Sequence, residues 1–581
     1  MKFIEFPVPD GTIVPSDLIE SVTTVTTTTT QMNMSYGGRF VIRHEAPLEA
    51  DGVVEAIYDA MTAKPGARAT MVRNPIRVAQ ELGSIDGKQF IVTRQDMVEF
   101  VGLVYAPPVT ENPAIFEFTG TKAQLPIQVV GTYEYTVDWG DGSAEEDFSG
   151  VAASHTYATA GTYETKVTGL YPGIAFGKID NGAVLTDVIS WGDQVYESFA
   201  NAFEGINSIN GTSNGTWSVR TSPDLTACTG FERCFKDAIG LDLGFSAGSG
   251  RIGNWDTSFV NNFEECFAYS VVTAGQNAPT IGSWDMGNAI NLKGMFENVT
   301  WSSLGIGGWN FGVAQDFRRM FSGAANYNED LNSWGSFGST TATVTNMKGM
   351  FSGAASFNSD LNRWNVSNVT DMDNMFRGAT DFNGNITRGN ISGWLPSSCT
   401  TMSGMFKDAI SFNRTIGAWD VSSVGDMTEM FRGALLFDQE LNDWDVSNVT
   451  IMQSMFNQAL VFNRPLNNWD VSSVDSFFFM FNLAVLFDQD LGDWDISNAN
   501  NLVGFNANNN GGFSTASYDL TLTGWSNTLV AAYPNPNDYT PNININFSQT
   551  QYSAATSTSR DLLTNARPNG YGWTISDGGQ V

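Results

Sequence analysis

Between residues 419 and 494 the chain repeats itself on a fixed period. Trp419, Trp444, Trp469 and Trp494 stand 25 residues apart, as do Phe431, Phe456 and Phe481, and as do Phe412, Phe437, Phe462 and Phe487. A fixed period of this length means one supersecondary unit stacked on copies of itself. No single unit of this size can bury its own apolar side, so contact with neighbouring copies must remove it from water. The repeat tryptophans are therefore expected in the core, together with Met430, Phe431, Met455 and Phe456.

Residues 442–466 show one unit. Val449, Met452, Met455, Phe456 and Ala459 recur at steps of three and four, which predicts one face of a short helix. Ser447, Asn448 and Thr450 stand at its start, where short polar side chains take unpaired N–H groups. Leu441, Trp444 and Val446 predict a short strand before it, and Phe462 begins a return loop toward Leu466. Asn358, Asn383, Asn413, Asp438, Asn463 and Asp488 align just after the second phenylalanine. Such a column at a turn hydrogen-bonds the backbone of the next coil. A calcium ladder is the competing reading, and the mixture of Asn and Asp favours the turn. The column after the tryptophan (Asp256, Asp285, Asp420, Asp445, Asp470, Asp495) is purer, but Asn310 and Asn365 interrupt it and Gly335 breaks it. No spacing here matches an oxygen-cage loop, so calcium stays a minor alternative and no other metal or cofactor is expected.

The pattern W-D-V-S-N-V-T-x-M-x-x-M-F-x-x-A-x-x-F-N-x-x-L, seen in full over 444–466, resembles the BspA-like leucine-rich repeats of bacterial surface proteins. These also occur in mycoplasma lipoproteins and in some phage genomes. The likeness runs from about residue 185 to 510. It implies a right-handed leucine-rich-repeat solenoid, with a short strand and a short helix per coil, and a role in adhesion rather than catalysis. About eleven coils at roughly 4.8 Å per strand would span on the order of 50 Å. Insertions at 205–219 and 384–391 are expected to project as loops, where partner specificity resides.

Four segments follow from this reading. Residues 1–106 form an α+β domain that carries Arg39, Arg43, Arg68, Arg73, Arg77 and Arg94. Strands are expected at 22–30, 39–43 and 90–92, and helices at 48–61 and 75–82. Attachment is its expected role. Pro107 and Pro108 mark a linker. Residues 107–170 hold Trp139-Gly140-Asp141-Gly142-Ser143 and then His155, Tyr157, Gly161 and Tyr163. This resembles the polycystic-kidney-disease (PKD) type β-sandwich, an Ig-like spacer or contact module, in which His155 packs on the tryptophan-glycine turn. Residues 171–512 are the repeats, with Val184, Leu185, Val188 and Ile189 as a first half-coil and the pattern lost from Asn498. Residues 513–581 are the cap that a repeat end requires, with a helix at 556–566.

Composition narrows the function. Asp and Glu total 61 against 29 Lys and Arg, a net charge of −32 that argues against binding a phosphate backbone. Cys228, Cys234, Cys266 and Cys399 replace core apolar residues by register, so free buried thiols are expected. His44 and His155 are the only histidines, which leaves little for a nucleophilic triad. There is no P-loop and no H-E-x-x-H. No catalytic residue is expected. No run of 18 apolar residues predicts membrane insertion. The opening MKFIEFPVPDG has no h-region and does not read as a secretory signal. The expected function is thus a non-enzymatic virion structural protein, a capsid decoration or tail/fibre appendage on the virion surface. Other virion proteins would bind the N-terminal domain, and a host-surface protein or glycan would bind the solenoid. The alternative is a bacterial cell-surface adhesin. A glycan-active enzyme and an intracellular scaffold are more distant readings.

Overall fold

The computed structural model describes residues 112–128, 130–178, 183–206, 222–239, 252–271, 281–334, 344–386, 394–507 and 512–581, and nine strands within the first 104 residues. The chain divides into two compact units. One holds Met1–Asn112 with Glu134–Thr136 and Thr168–Leu170, and the other holds the remainder.

The first unit contains β1 (Phe3–Glu5), β2 (Ile13–Pro15), β3 (Ile19–Thr26), β4 (Thr29–Met34), β5 (Arg39–His44), β6 (Arg68–Met71), β7 (Gln80–Ile85), β8 (Lys88–Val92) and β9 (Val98–Val104). They form two sheets, ordered β3-β4-β5-β9 and β2-β1-β6-β7-β8. The β-branched threonine run supplies parts of β3 and β4, which pair antiparallel, with β3 at the sheet edge. The expected strands at 39–43 and 90–92 lie within β5 and β8. The helix expected over 75–82 is corrected at its end, because Gln80, Glu81 and Leu82 belong to β7, and Gln80 and Glu81 pair with Val92 and Ile91 of β8. Asp86-Gly87 between those strands is a hairpin signal, and cross-strand pairing overrides the local helical pattern. The helix expected at 48–61 and the Pro107-Pro108 linker lie outside the described residues.

A third sheet holds β10 (Ala114–Leu125), β11 (Glu134–Asp138), β12 (Glu146–Ser149), β13 (Ala153–Leu170) and β14 (Ala183–Ser190), in the order β12-β11-β13-β10-β14, and belongs to the second unit apart from Glu134–Thr136 and Thr168–Leu170. Alternate β10 residues Ala114, Phe116 and Phe118 are buried, the period-two pattern of a half-covered sheet. The half-coil expected at 184–189 is instead the strand β14, paired antiparallel with β10. The boundary at 170/171 therefore cuts through a sheet. Its buried face is covered by the start of the repeats: Phe116 and Phe118 lie 4.9 and 6.1 Å from Phe176, which lies 6.2 Å from Phe203.

From Gly173 to Asn501 the repeats join through twelve successive parallel bridges, each one residue long, among the described residues. The last rungs are Asp371, Thr401, Asp426, Ile451, Ser476 and Asn501. The short helix expected in each coil is corrected to a run of turns, and the short strand before it is also turn. Ile451, which makes the inter-repeat bridge, falls inside the segment expected as helix. The reason lies in the backbone. The N–H groups of Met427, Glu429, Phe431 and Gly433 donate to the carbonyls of Ile451, Gln453, Met455 and Asn457 in the next repeat at 2.8–3.0 Å. Those of Met430, Arg432 and Ala434 donate three residues back, to Met427, Glu429 and Phe431, at 3.0–3.2 Å. Alternate groups thus serve neighbouring repeats, which an α-helix with all its bonds internal could not do. The alternation needs a left-handed residue twice per repeat: φ is +55° at Glu429 and +68° at Gly433, +56° at Ser454 and +63° at Gln458.

The pattern does not end at Asn498. Phe477, Phe479 and Phe481 donate to the carbonyls of Asn501, Val503 and Phe505, so a last half-repeat runs to Phe505. The cap then begins with helix α1 (Thr515–Ala532) and adds α2 (Ser557–Thr564), within the span expected to be helical, and the parallel pair β15 (Asn544–Asn546) and β16 (Thr574–Ser576). Asp577 locks it, accepting from Tyr518 Oη at 2.9 Å and Arg560 Nε at 2.8 Å. The expected insertion loops fall largely at 207–221 and 387–393, outside the described residues. Among the described residues no helix is long and apolar enough to cross a membrane.

The left-handed positions yield a test. A non-glycine residue there costs about 1 kcal/mol or more. Gln458→Gly should raise the thermal midpoint of unfolding, and Gly433→Ala should lower it, each by an amount equivalent to about 1 kcal/mol. Opposite signs in thermal melts check the assignment.

Candidate functional site

The repeat core is three aromatic columns. Trp309, Trp334, Trp364, Trp394 and Trp419 stack at centroid separations of 6.0–6.3 Å, and Trp444, Trp469 and Trp494 at 6.2–6.4 Å. Phe406, Phe431, Phe456 and Phe481 stack at 5.5–5.8 Å, and Phe412, Phe437, Phe462 and Phe487 at 5.8–5.9 Å. Within one repeat the two phenylalanines sit closer still, Phe431 against Phe437 at 4.1 Å. Met430 and Met455 are buried beside them. The tryptophans, methionines and phenylalanines singled out in the repeat sequence thus lie in the core.

Each indole also carries a bond. Trp444, Trp469 and Trp494 Nε1 donate to the carbonyls of Ile416, Leu441 and Leu466 in the preceding repeat at 2.8–3.0 Å. Trp525 of α1 repeats the contact on Leu491 at 2.9 Å, so the cap occupies the place of one more repeat. Trp419 is the exception. Its buried indole N–H has no acceptor among the described residues. It follows the repeat interrupted at 387–393, where Ile386 accepts from the Trp394 backbone N–H. An orphaned donor of this kind costs about 1–3 kcal/mol.

The two polar columns have local tasks. Asn413 Oδ1 accepts from the Asp438 N–H, Asp438 from Asn463, Asn463 from Asp488, and Asp488 from Ser514, at 2.7–3.1 Å. Ser514 is in turn the N-cap of α1, so this ladder also runs into the cap. After the tryptophan, Asp420, Asp445, Asp470 and Asp495 accept the N–H two residues on at 3.0–3.1 Å, as Asn365 does. Either residue type supplies the single oxygen that such a turn uses. Among the described residues no three His, Cys, Asp or Glu side chains converge as a metal site would require.

The sheet carries the other residues read from the sequence. Buried Trp139 stacks on His155 at 5.1 Å and 15°, and Tyr157 meets the His155 ring edge-on at 5.0 Å. Tyr157 Oη donates to the Trp139 carbonyl at 3.1 Å. Gly140 has φ +79°, and a Cβ there would stand 2.4 Å from the Glu164 carbonyl, so the turn admits only glycine. Gly142 is also left-handed, at +82°. Asp141 accepts from the Ser143 N–H at 3.0 Å and pairs with His155 Nε2 at 2.9 Å. The Ser143 bond, then the His155 bond, holds its carboxyl well below the usual range. The four cysteines are buried and free. Burial pushes the Cys228 and Cys399 thiols up to about 12, and Cys234 and Cys266 well above the ordinary value.

One surface feature escaped the sequence reading. A groove of about 440 Å³ crosses three consecutive repeats, lined among others by Glu429, Arg432, Gln453, Gln458, Phe478 and Phe479. The two phenylalanine rings stand 4.3 Å apart, edge to face, and are only partly buried. Their signal was present. The equivalent pairs are Thr428-Glu429 and Gln453-Ser454 in the two preceding repeats and Val503-Gly504 in the one that follows.

With the repeat geometry in hand, comparison with known families is informative. Residues 229–340, 305–394, 337–434 and 400–514 each match the family described as a Mycoplasma protein of unknown function, DUF285, which is related to BspA-like repeats. Together these matches span residues 229–514, just under half of the chain. No curated protein and no solved structure matches the chain.

Two outcomes follow. Asn463→Ala should cost about 1 kcal/mol by stranding the Asp488 N–H, whereas Asn463→Asp should be near neutral; thermal melts compare them. A carboxyl held below its unfolded value stabilises fully above the unfolded pKa and loses that effect as pH falls through the folded one. Stability should therefore fall as pH drops below about 4. Asp141→Asn should blunt this fall, as read by acid titration of near-ultraviolet circular dichroism.

Proposed function

We propose that this chain is a non-enzymatic virion structural protein, a capsid decoration or tail/fibre appendage, that displays its repeats for adhesion to a host-surface protein or glycan. In this reading the repeats form a right-handed leucine-rich-repeat solenoid, and the PKD-like sheet is a spacer fused to its first coils. The N-terminal unit attaches the chain to other virion proteins.

The observation that carries the display reading is the use made of the repeated residues. The aromatic columns are buried, and the Asn/Asp ladder bonds one repeat to the next. Both are scaffold. Inside the core the exchanges between repeats stay apolar, as at Cys399 and Phe477, and the polar differences lie outside, where repeat proteins present binding surfaces. Among the described residues the thiols are buried and suppressed and His155 is stacked and paired, which supports the same view. A second reading, a bacterial cell-surface adhesin, is favoured by the Mycoplasma origin in the description of the matching family.

Electron microscopy of source cultures, with gold-labelled antibody against residues 513–581, decides between them. Label on particle heads or tails is the expected result. Label on cell envelopes with bare particles would replace the virion reading with the adhesin. Label confined to the cell interior would overturn both.

A further inference from the structure

We infer that the groove across residues 428–432, 453–458 and 478–482 binds a neutral pyranose unit of a glycan. The inference rests on the display reading and names its ligand class. Phe478 and Phe479 are the starting point. Along this ridge the equivalent pairs are Asp373-Asn374, Ser403-Gly404, Thr428-Glu429 and Gln453-Ser454, so an aromatic pair breaks a largely polar series. Phe479 holds a left-handed backbone, φ +55°, at a position where Gly349, Gly404 and Gly504 stand in other repeats and Asn374, Glu429 and Ser454 in others again. Its ring lies against the next repeat where Gly504 has no side chain: a Cβ on Gly504 would fall 2.3 Å from the ring carbons. Gly504 thereby fixes the ring, and Phe478 abuts it edge-on. Two rings so placed offer the C–H face of a sugar an apolar platform.

The remaining lining supplies the matching polar chemistry. Gln453, Asn457, Gln458 and Asn482 are amides, each with donors and an acceptor, which suits hydroxyl groups that both give and take hydrogen bonds. Asn457 is 7% exposed, and its Oδ1 accepts from Asn482 Nδ2 at 3.1 Å, which orients both amides. The lining carries one carboxylate and one cation, Glu429 and Arg432, and these bond each other, while Lys407 also bonds Glu429. Burial opposes ionisation of Glu429, but the Lys407 and Arg432 bonds win and hold its carboxyl below the usual range. Among the lining residues themselves the single carboxylate and the single cation offset each other, which fits an uncharged sugar better than a sialylated or phosphorylated one. The volume of about 440 Å³ falls in the range of small-ligand clefts.

The test uses the full chain. An array of neutral and acidic oligosaccharides is followed by saturation-transfer NMR with the methyl glycosides of mannose, galactose and N-acetylglucosamine. The variant is Phe478→Gln with Phe479→Gly, which imports residue types from equivalent positions and relieves a left-handed phenylalanine, so its thermal midpoint should be unchanged or higher. The expected result is binding of at least one neutral glycan, with affinity reduced at least about tenfold in the folded variant. No retained neutral glycan, retention of charged glycans alone, or equal binding by the variant would overturn the inference. If the variant adheres to host cells as wild type does, the groove assignment fails while the display reading stands. If the wild-type chain adheres to no host surface yet binds the sugars, the display reading fails and the groove remains.

Discussion

The repeat region depends on a backbone arrangement in which alternate N–H groups serve two different repeats. Met427, Glu429, Phe431 and Gly433 reach forward to the next repeat, and Met430, Arg432 and Ala434 close turns within their own. A chain of L-residues can do this only by passing twice into the left-handed region, at the position before Met-Phe and two residues after it. Glycine, Asn and Asp fill many of these positions, as at Gly349, Asn374, Gly404, Gly433 and Asp408. Where Phe479 or Leu483 stands there, the strain is carried by the neighbouring bonds. Only this short segment must stay in register. Thus 30 residues separate the rungs Asp316 and Asn346, and 25 separate Asn346 and Asp371, with the extra residues taken up between rungs.

Cohesion between repeats is apolar and backbone-borne more than ionic. Lys293 pairs with Glu264 and Lys348 with Asp373 across repeats, but these side chains are part exposed, and such pairs contribute about 0–1 kcal/mol. A buried phenylalanine contributes about 1.5–3 kcal/mol, and each repeat from 346 to 494 buries two as well as a tryptophan. A net charge of −32 is tolerable on this frame because nearly all of it lies outside the core; among the described repeat residues Glu297 is buried, and it bonds Arg319.

A stack of open-ended repeats has two apolar ends, and each is closed by a different device. At the start, Phe176 joins Phe203 of the repeats to Phe116 and Phe118 of the sheet. At the finish, α1 mimics a repeat: Ser514 takes the next rung of the Asn/Asp ladder and Trp525 the next rung of the indole ladder. In the repeat after residues 387–393 the ladder differs, since the Trp419 indole N–H has no acceptor among the described residues.

The period, the membership of the three aromatic columns, and the Asn/Asp column at the turn were legible from residue spacing alone. Burial recurs with the repeat, and identical residues on a fixed period must meet identical surroundings. The helix expected over 449–459 was misread because steps of three and four report which side chains are buried, not where the N–H groups bond. The partner of Phe431 N–H is Met455 O, 24 residues away, and no local pattern encodes it. For the same reason β14 passed for a half-coil, since Val184 to Ile189 is apolar in either setting and only its pairing with β10 assigns it to the sheet. Residue spacing was enough to give the repeat and its core. The tertiary structure alone decided the hydrogen-bond partners, the fusion of sheet to repeats and the groove at Phe478 and Phe479, because each depends on contacts between residues that the chain brings together only on folding.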